Sequence, residues 1–85
     1  NTLNTVRDIE MIRKAINADK LHFYATSYAT YIIQLYATLH SDKVGKMVLD
    51  SPVDSKRVWY QRTLDLSIGI QRGVNLWYEW VAQYD

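Results

Sequence analysis

Two short runs, Leu21-His22-Phe23-Tyr24 and Val44-Gly45-Lys46-Met47-Val48-Leu49-Asp50, flank a stretch from Thr30 to His40 whose apolar spacing is helical. This arrangement constrains the chain more than any other feature. Bulky and aromatic residues fill the first run, and the second has the apolar centre of a strand covered on both faces. Strands separated by a helix-length connection pair in parallel, because a hairpin connection would be far shorter. The reading is strand, sharp turn at Ala25-Thr26-Ser27-Tyr28-Ala29, helix, polar break at Ser41-Asp42-Lys43, strand, ending at Ser51-Pro52.

Ahead of this unit, Val6, Ile9, Ile12 and Ile16 recur every three or four positions and predict an amphipathic helix from Thr5 to Ala18. Thr5 and Asp8 have the form of a capping box, and Asn17 falls where a helix closes with a left-handed residue. Beyond Pro52, Val53-Asp54-Ser55-Lys56 reads as a linker. From Arg57 a long helical pattern places Leu66, Ile70, Trp77, Val81 and Tyr84 on one face. Gly69 and Gly73 interrupt it, and a helix-interior glycine costs about 1 kcal/mol relative to alanine, so a kink or break is expected near Gly73. The chain thus reads as one fragment-sized domain, with a strand-turn-helix part over 1–52 and Trp-rich, cap-like helices over 53–85.

At 85 residues, one domain is the ceiling, and a chain this short buries only about 60% of its unfolded surface. A content of 48% hydrophobic residues, with three Trp and seven Tyr, marks it as globular. Ten basic and nine acidic residues leave a formal charge of +1 without long blocks of either sign, which points to neither nucleic acid nor membrane as a partner. There is no cysteine, hence no disulfide and no thiolate metal site. Asn1-Thr2-Leu3-Asn4-Thr5 has no initiator Met and no signal-peptide pattern, and reads as a cut inside a longer chain. No apolar run approaches the roughly 20 residues of a membrane span.

Ser27 lies on the strand-to-helix turn, the place from which nucleophile-elbow hydrolases present a serine hydroxyl. The backbone N–H of Tyr28 would begin the following helix, where unpaired amides and the helix dipole favour an oxyanion. The run Phe23-Tyr24-Ala25-Thr26-Ser27-Tyr28-Ala29-Thr30-Tyr31, then Gln34-Leu35-Tyr36-Ala37-Thr38-Leu39-His40 and Asp42 to Asp50, resembles the secreted actinobacterial tripeptidyl aminopeptidases and proline iminopeptidase relatives of the α/β-hydrolase superfamily. The likeness covers almost the whole chain, including Val6-Arg7-Asp8-Ile9-Glu10 and the Trp-rich stretch after Pro52. It implies an α/β fold built as a helix-strand-helix-strand fragment of a hydrolase sheet followed by cap-like helices. It also implies Ser27 as an acylated nucleophile, a peptide substrate releasing short N-terminal peptides or proline, and a secreted parent.

The chain departs from the family's Gly-x-Ser-x-Gly elbow by carrying Ala25 and Ala29, and Ile33 stands where a small residue is expected. Each added methyl should disfavour the strained turn by on the order of 1–3 kcal/mol. Without glycine, Leu21, Ala25, Tyr28, Ile32, Leu35 and Leu39 also fit an a/d seam, so an all-α oligomer with residues 20–40 as one long helix stays open as the alternative fold.

For a general base the sequence offers His22 and His40. His22 precedes Ser27 by five residues on the strand, which reads as a core-edge or interface position. His40 would sit some ~18 Å along the helix from Ser27, suited to a charge at a helix C-terminus. Asp50 ends the second strand, on the side of a parallel sheet where catalytic groups gather. It is a candidate triad acid and equally a turn-forming residue before Pro52; in the resembled peptidases acid and histidine lie farther downstream. No metal-ligand spacing and no phosphate-cradling glycine loop occur, so no metal and no cofactor are expected. Trp59, Trp77 and Trp80 read as core or interface before they read as a substrate cleft.

Three functional readings remain. The first is a hydrolase-derived fragment, natural or engineered, carrying the nucleophile segment without a complete triad, with weak or absent activity. The second is an engineered or evolved self-assembling helical protein, and the third an oligomeric hydrolase whose site is completed between subunits by His22 or His40. All three expect self-association: the helical protein assembles through its helices, and in the other two a pair of strands alone leaves edges and faces that strand exchange, domain swapping or an intertwined dimer of the Trp-rich helices would cover.

Overall fold

The Asn1 side chain accepts a hydrogen bond from the Asn4 N–H at 3.0 Å and caps the first helix, α1, Thr2–Ala15. The expected Thr5–Asp8 box is therefore not the start: Thr5 lies inside the helix and returns its hydroxyl to the Asn1 carbonyl at 3.3 Å. The end is as the sequence predicts. Asn17 takes φ 55°, its N–H reaches the Lys14 carbonyl and the Ala18 N–H reaches that of Arg13, the paired bonds of a Schellman closure. This computed structural model describes residues 1–84.

After the turn come β1, Leu21–Thr26; α2, Ala29–Leu39; a single 3-10 turn, Ser41–Lys43; and β2, Val44–Asp50. The two strands pair in parallel, with Phe23 opposite Met47, Tyr24 opposite Val48, Ala25 opposite Leu49 and Thr26 opposite Asp50. The all-helical alternative is thereby overturned. Residues 21–26 are extended and paired with β2, and Ser27, at φ 52°, lies where no right-handed helix continues. Near its start the register slips, so that Leu21 to Phe23 spans Val44 to Met47 and one extra β2 residue bulges out. His22 repairs the slip: its Nδ1 accepts from the Lys46 N–H at 2.7 Å. The ring lies so close over Gly45 that a Cβ there would fall on the imidazole.

One face of β1 packs on α2. The Phe23 and Tyr36 rings meet edge to face at 5.1 Å, and Val6, Ala25, Ile33, Tyr36 and Val53 are buried. On the other face Tyr24 and Val48 are open, and β2, expected to be covered on both sides, has no buried residue, Met47 opposite Phe23 being exposed as well. The α1 face used also differs from the expected stripe. Val6 and Arg13 are buried while Ile12 and Ile16 are exposed. Residues 6, 10 and 13 share one helical face, and it is their side chains that meet α2.

That contact is polar at its centre. Arg13 donates Nε and Nη2 to the two carboxylate oxygens of Glu10 at 2.9 and 2.6 Å, and the buried Tyr36 hydroxyl donates to Glu10 Oε2 at 2.8 Å. A third Arg13 nitrogen reaches the Ala18 carbonyl at 2.6 Å, tying the α1 closure to the same cluster. The hydrogen bonds from Arg13 hold the Glu10 carboxyl well below the usual range, at about 2, and Tyr36 adds to the effect. Burial, then the Glu10 partner, pushes the Tyr36 phenol up.

The chain divides into two compact units, Asn1–Ser55 and Lys56–Asp85. The second contains α3, Tyr60–Val81, and a closing 3-10 turn, Ala82–Tyr84. Its helix starts at Tyr60, three residues later than the pattern suggests, because Trp59 at φ 70° stands outside helical geometry. It also runs unbroken through Gly69 and Gly73. The glycine cost is spread along 22 residues, while Thr63 and Ser67 hydroxyls return to carbonyls four residues back and Gln61–Asp65 and Gln71–Asn75 pairs bridge successive turns. Arg57 pairs with Asp65 at 3.1 Å. No residue of α3 is buried. Among the described residues, no helix is long and apolar enough to cross a membrane.

Candidate active site

The turn between β1 and α2 is two residues long, Ser27-Tyr28, and its geometry rests on Ser27. A left-handed φ of 52° disfavours any residue with a Cβ, by roughly 1–2 kcal/mol for an L-residue. Four bonds around the turn hold it there. The Ser27 N–H donates across the sheet to the Asp50 carbonyl at 3.0 Å, extending the parallel ladder by one step beyond Thr26. The Ser27 carbonyl accepts from the Thr30 N–H at 3.1 Å and the Thr30 hydroxyl at 2.6 Å. The Tyr31 N–H then reaches the Tyr28 carbonyl at 3.0 Å as the first turn of α2 forms. Ser27 itself is exposed.

Tyr28 is the N-cap of α2 with right-handed backbone angles, so its amide stands at the positive end of the helix, as the sequence predicts. Its phenol shares a hydrogen bond with the Thr2 hydroxyl at 3.0 Å and its ring lies 6.0 Å from that of Tyr31, which places the side chain toward the start of α1.

The alanines that replace the elbow glycines do not abolish the turn. Neither Ala25 nor Ala29 takes a positive φ, so neither needs glycine's conformational freedom. The Ala25 methyl is buried within β1, and that of Ala29 is exposed at the first residue of α2. Ile33, where a small residue was expected, is buried and belongs to the core. The left-handed conformation thus falls on the serine, and neither alanine has to adopt one.

Asp50 stands beside Ser27 through its backbone. Its carboxylate is held by the Tyr24 hydroxyl at 3.3 Å and the Ser51 hydroxyl at 3.1 Å, and neither histidine is among its partners. The next residue, Ser51, has φ 53°, so the two parallel strands each end in a left-handed serine. His22 lies near the other end of β1, about 16 Å from Ser27 at strand rise, with Nδ1 engaged by Lys46. His40 caps the far end of α2, its N–H on the Tyr36 carbonyl at 2.8 Å and its ring 5.0 Å from Tyr36. The structure therefore brings Ser27, Tyr28 and Asp50 to one end of the sheet and leaves both histidines away from it. Among the described residues, no group of three or more His, Cys, Asp or Glu could hold a metal ion.

Two residues at this end have no counterpart in the sequence reading. The hydroxyl of Thr30, fully buried, accepts from the Val53 N–H at 2.9 Å, and Gln34 donates its side-chain amide to the Val53 carbonyl at 2.9 Å. A threonine three residues after the serine, with a hydrogen-bonding residue one turn later, is the sequence signal that could have found them.

A short left-handed serine turn between a parallel strand and a helix has the form of a nucleophile elbow. A family model described as alpha/beta hydrolase fold matches residues 1–85. The chain belongs to the α/β-hydrolase fold family. Among curated relatives, the tripeptidyl aminopeptidases of Streptomyces lividans and Streptomyces coelicolor are each 41% identical over 86 residues, covering 99% of this chain and 16% of the relative. Serine protease Hip1 of Mycobacterium tuberculosis is 34% identical over 74 residues, covering 87% of this chain and 14% of the relative. This α/β-hydrolase chain thus corresponds to about a sixth of the length of its Streptomyces relatives. No solved structure matches it.

Proposed function

We propose that this chain is the nucleophile-bearing segment of a serine hydrolase acting on peptides, with Ser27 as nucleophile and the Tyr28 N–H as an oxyanion donor. The carrying observation is the left-handed Ser27 at the end of a parallel strand, exposed, and followed at once by a helix N-terminus. The printed activities of the relatives, an aminopeptidase and a serine protease, support peptides as the substrate class. Attack by the Ser27 oxygen on a carbonyl would build negative charge where the Tyr28 amide and the α2 dipole can stabilise it.

Within these 85 residues the triad is incomplete. With His22 bound to Lys46 and His40 at the opposite end of α2, no imidazole adjoins Ser27 to take its proton. The reading is therefore a chain with weak turnover or none by itself, whose Ser27 hydroxyl at the head of α2 keeps a slow, stoichiometric reactivity toward a strong electrophile. The test is exposure to an alkyl fluorophosphonate with intact-mass detection. A single, slowly formed adduct at Ser27, absent from Ser27→Ala, is expected. No adduct on the unmodified chain after long exposure, or an adduct that survives Ser27→Ala, overturns the assignment.

Self-association is a second reading, favoured by the open sheet face with Tyr24 at 70% and Val48 at 56% exposure and by the outer edges of a two-stranded sheet. Sedimentation equilibrium decides it. A defined oligomer supports the reading and a monomer at all concentrations removes it, together with any site completed between subunits.

A further inference from the structure

The Thr30 hydroxyl has one proton and gives it to the Ser27 carbonyl at 2.6 Å. Its remaining lone pairs are turned to the Val53 N–H, which donates to them at 2.9 Å. One buried oxygen thus joins the left-handed turn to the segment leaving β2. Gln34, one turn further along α2, completes the hold by donating to the Val53 carbonyl at 2.9 Å, so both polar groups of the Val53 backbone are bonded to the same helix. Val53 is itself buried, which means these groups have no ready substitute in water.

A purely space-filling role does not account for this arrangement. Valine would fill the same volume at position 30 but would remove one bond from the Ser27 carbonyl and leave a buried Val53 N–H without a partner. The glycine-free elbow makes the connection more consequential. Ser27 adopts a conformation that its own Cβ disfavours, so the turn depends on bonds made from outside it.

We propose that Thr30 is a positioning residue for the nucleophile: its buried hydroxyl clasps the Ser27 carbonyl to the Val53 N–H and holds Ser27 in its left-handed conformation beside the exit of β2. Gln34 steadies the same segment from one turn away. The catalytic consequence rests on reading Ser27 as the nucleophile, whereas the geometric clasp stands without it.

The experiment uses the isotope-labelled 85-residue chain in three forms: unmodified, Thr30→Val and Thr30→Ser. Three quantities are read: the Ser27 H(N)–Hα coupling, Val53 amide exchange, and the rate of fluorophosphonate adduct formation. Thr30→Val should shift the Ser27 coupling, speed Val53 exchange and slow the adduct, each rate by about tenfold or more, whereas Thr30→Ser should keep both rates within about threefold of the unmodified chain. A folded Thr30→Val chain with unchanged coupling and exchange overturns the proposal, as does Thr30→Ser behaving like Thr30→Val. If Thr30→Val does not fold, the unmodified chain decides: a Val53 amide exchanging as fast as an unstructured one overturns the clasp, and a protected amide kept in Thr30→Ser supports it. An unmodified chain that forms no adduct removes the nucleophile reading while leaving the coupling and exchange results to judge the clasp.

Discussion

The Ser27 turn and the α3 helix are held in opposite ways. Around Ser27, bonds reach across the chain: Ser27 to Asp50, Thr30 and Gln34 to Val53, Tyr36 to Glu10. Along α3 the described side-chain bonds join residues four to eight apart, and no residue is buried. The first region is defined by tertiary contacts that fix individual atoms, and the second by local helix propensity that fixes only a direction. A reactive group needs the first kind of support, because placing one hydroxyl to within an ångström requires neighbours that do not share its flexibility.

The contrast can be broken most directly at Tyr36. Tyr36→Ala removes a fully buried ring and the Glu10 partner together and should cost about 3–5 kcal/mol, enough to unfold residues 1–55. Hydrogen exchange resolved by segment should then show protection lost there. Protection retained over 1–55 would mean that the contacts between α1, β1 and α2 are not what holds the turn.

Acid should act on the same region next. Glu10 has a carboxyl held at about 2 against an ordinary 4.5, a folded-state value below the unfolded one. Its stabilisation is fully present above about 4.5 and is lost as pH falls toward about 2. Residues 1–55 should lose protection across that window, and Glu10→Gln should flatten this dependence. An unchanged acid limb in Glu10→Gln would assign the sensitivity to another group.

Ser27→Gly sharpens the comparison from the other direction. By relieving the left-handed strain it should stabilise the first unit by about 1 kcal/mol, read from a urea midpoint, while removing the fluorophosphonate adduct. No gain in stability would show that the bonds around Ser27, and not its backbone angles, dominate the turn. The smallest effects belong to α3. A Cβ at Gly69 or Gly73 meets nothing within 4 Å, so Gly69→Ala and Gly73→Ala should each stabilise the helix by about 0.5–1 kcal/mol, with helical circular dichroism rising and residues 1–55 unaffected. A loss of helix content would mean that the glycines serve a contact or bend.

Much of the fold was legible because it is local. The β2 limits, the left-handed closure at Asn17 and the strand-turn-helix around Ser27 follow from residue type and spacing. What was misread depended on distant partners. Ile12 and Ile16 looked like a core stripe, yet Glu10 and Arg13 occupy the covered face because Tyr36 offers them a hydroxyl in a fold the helix cannot anticipate. Thr30 had no role in the sequence beyond opening the helical stretch until Ser27 and Val53 came to stand on either side of it. His22 looked like an edge residue, and its task of meeting the Lys46 amide arises only from the register slip in β2.

By itself, then, the sequence determined the order of elements, the placement of Ser27 on the turn and the family to which the chain belongs, since these depend on short-range pattern and on residues read one after another. Only the tertiary structure decided that the left-handed turn forms with alanines on both sides, that His22 meets the Lys46 amide, and that Thr30 spans the turn and the exit of β2. Those outcomes depend on which buried polar groups find partners across 20 or more residues of chain, from Thr30 to Val53 and from Glu10 to Tyr36. A buried donor or acceptor left alone is costly enough to choose between conformations that local propensity leaves nearly equal.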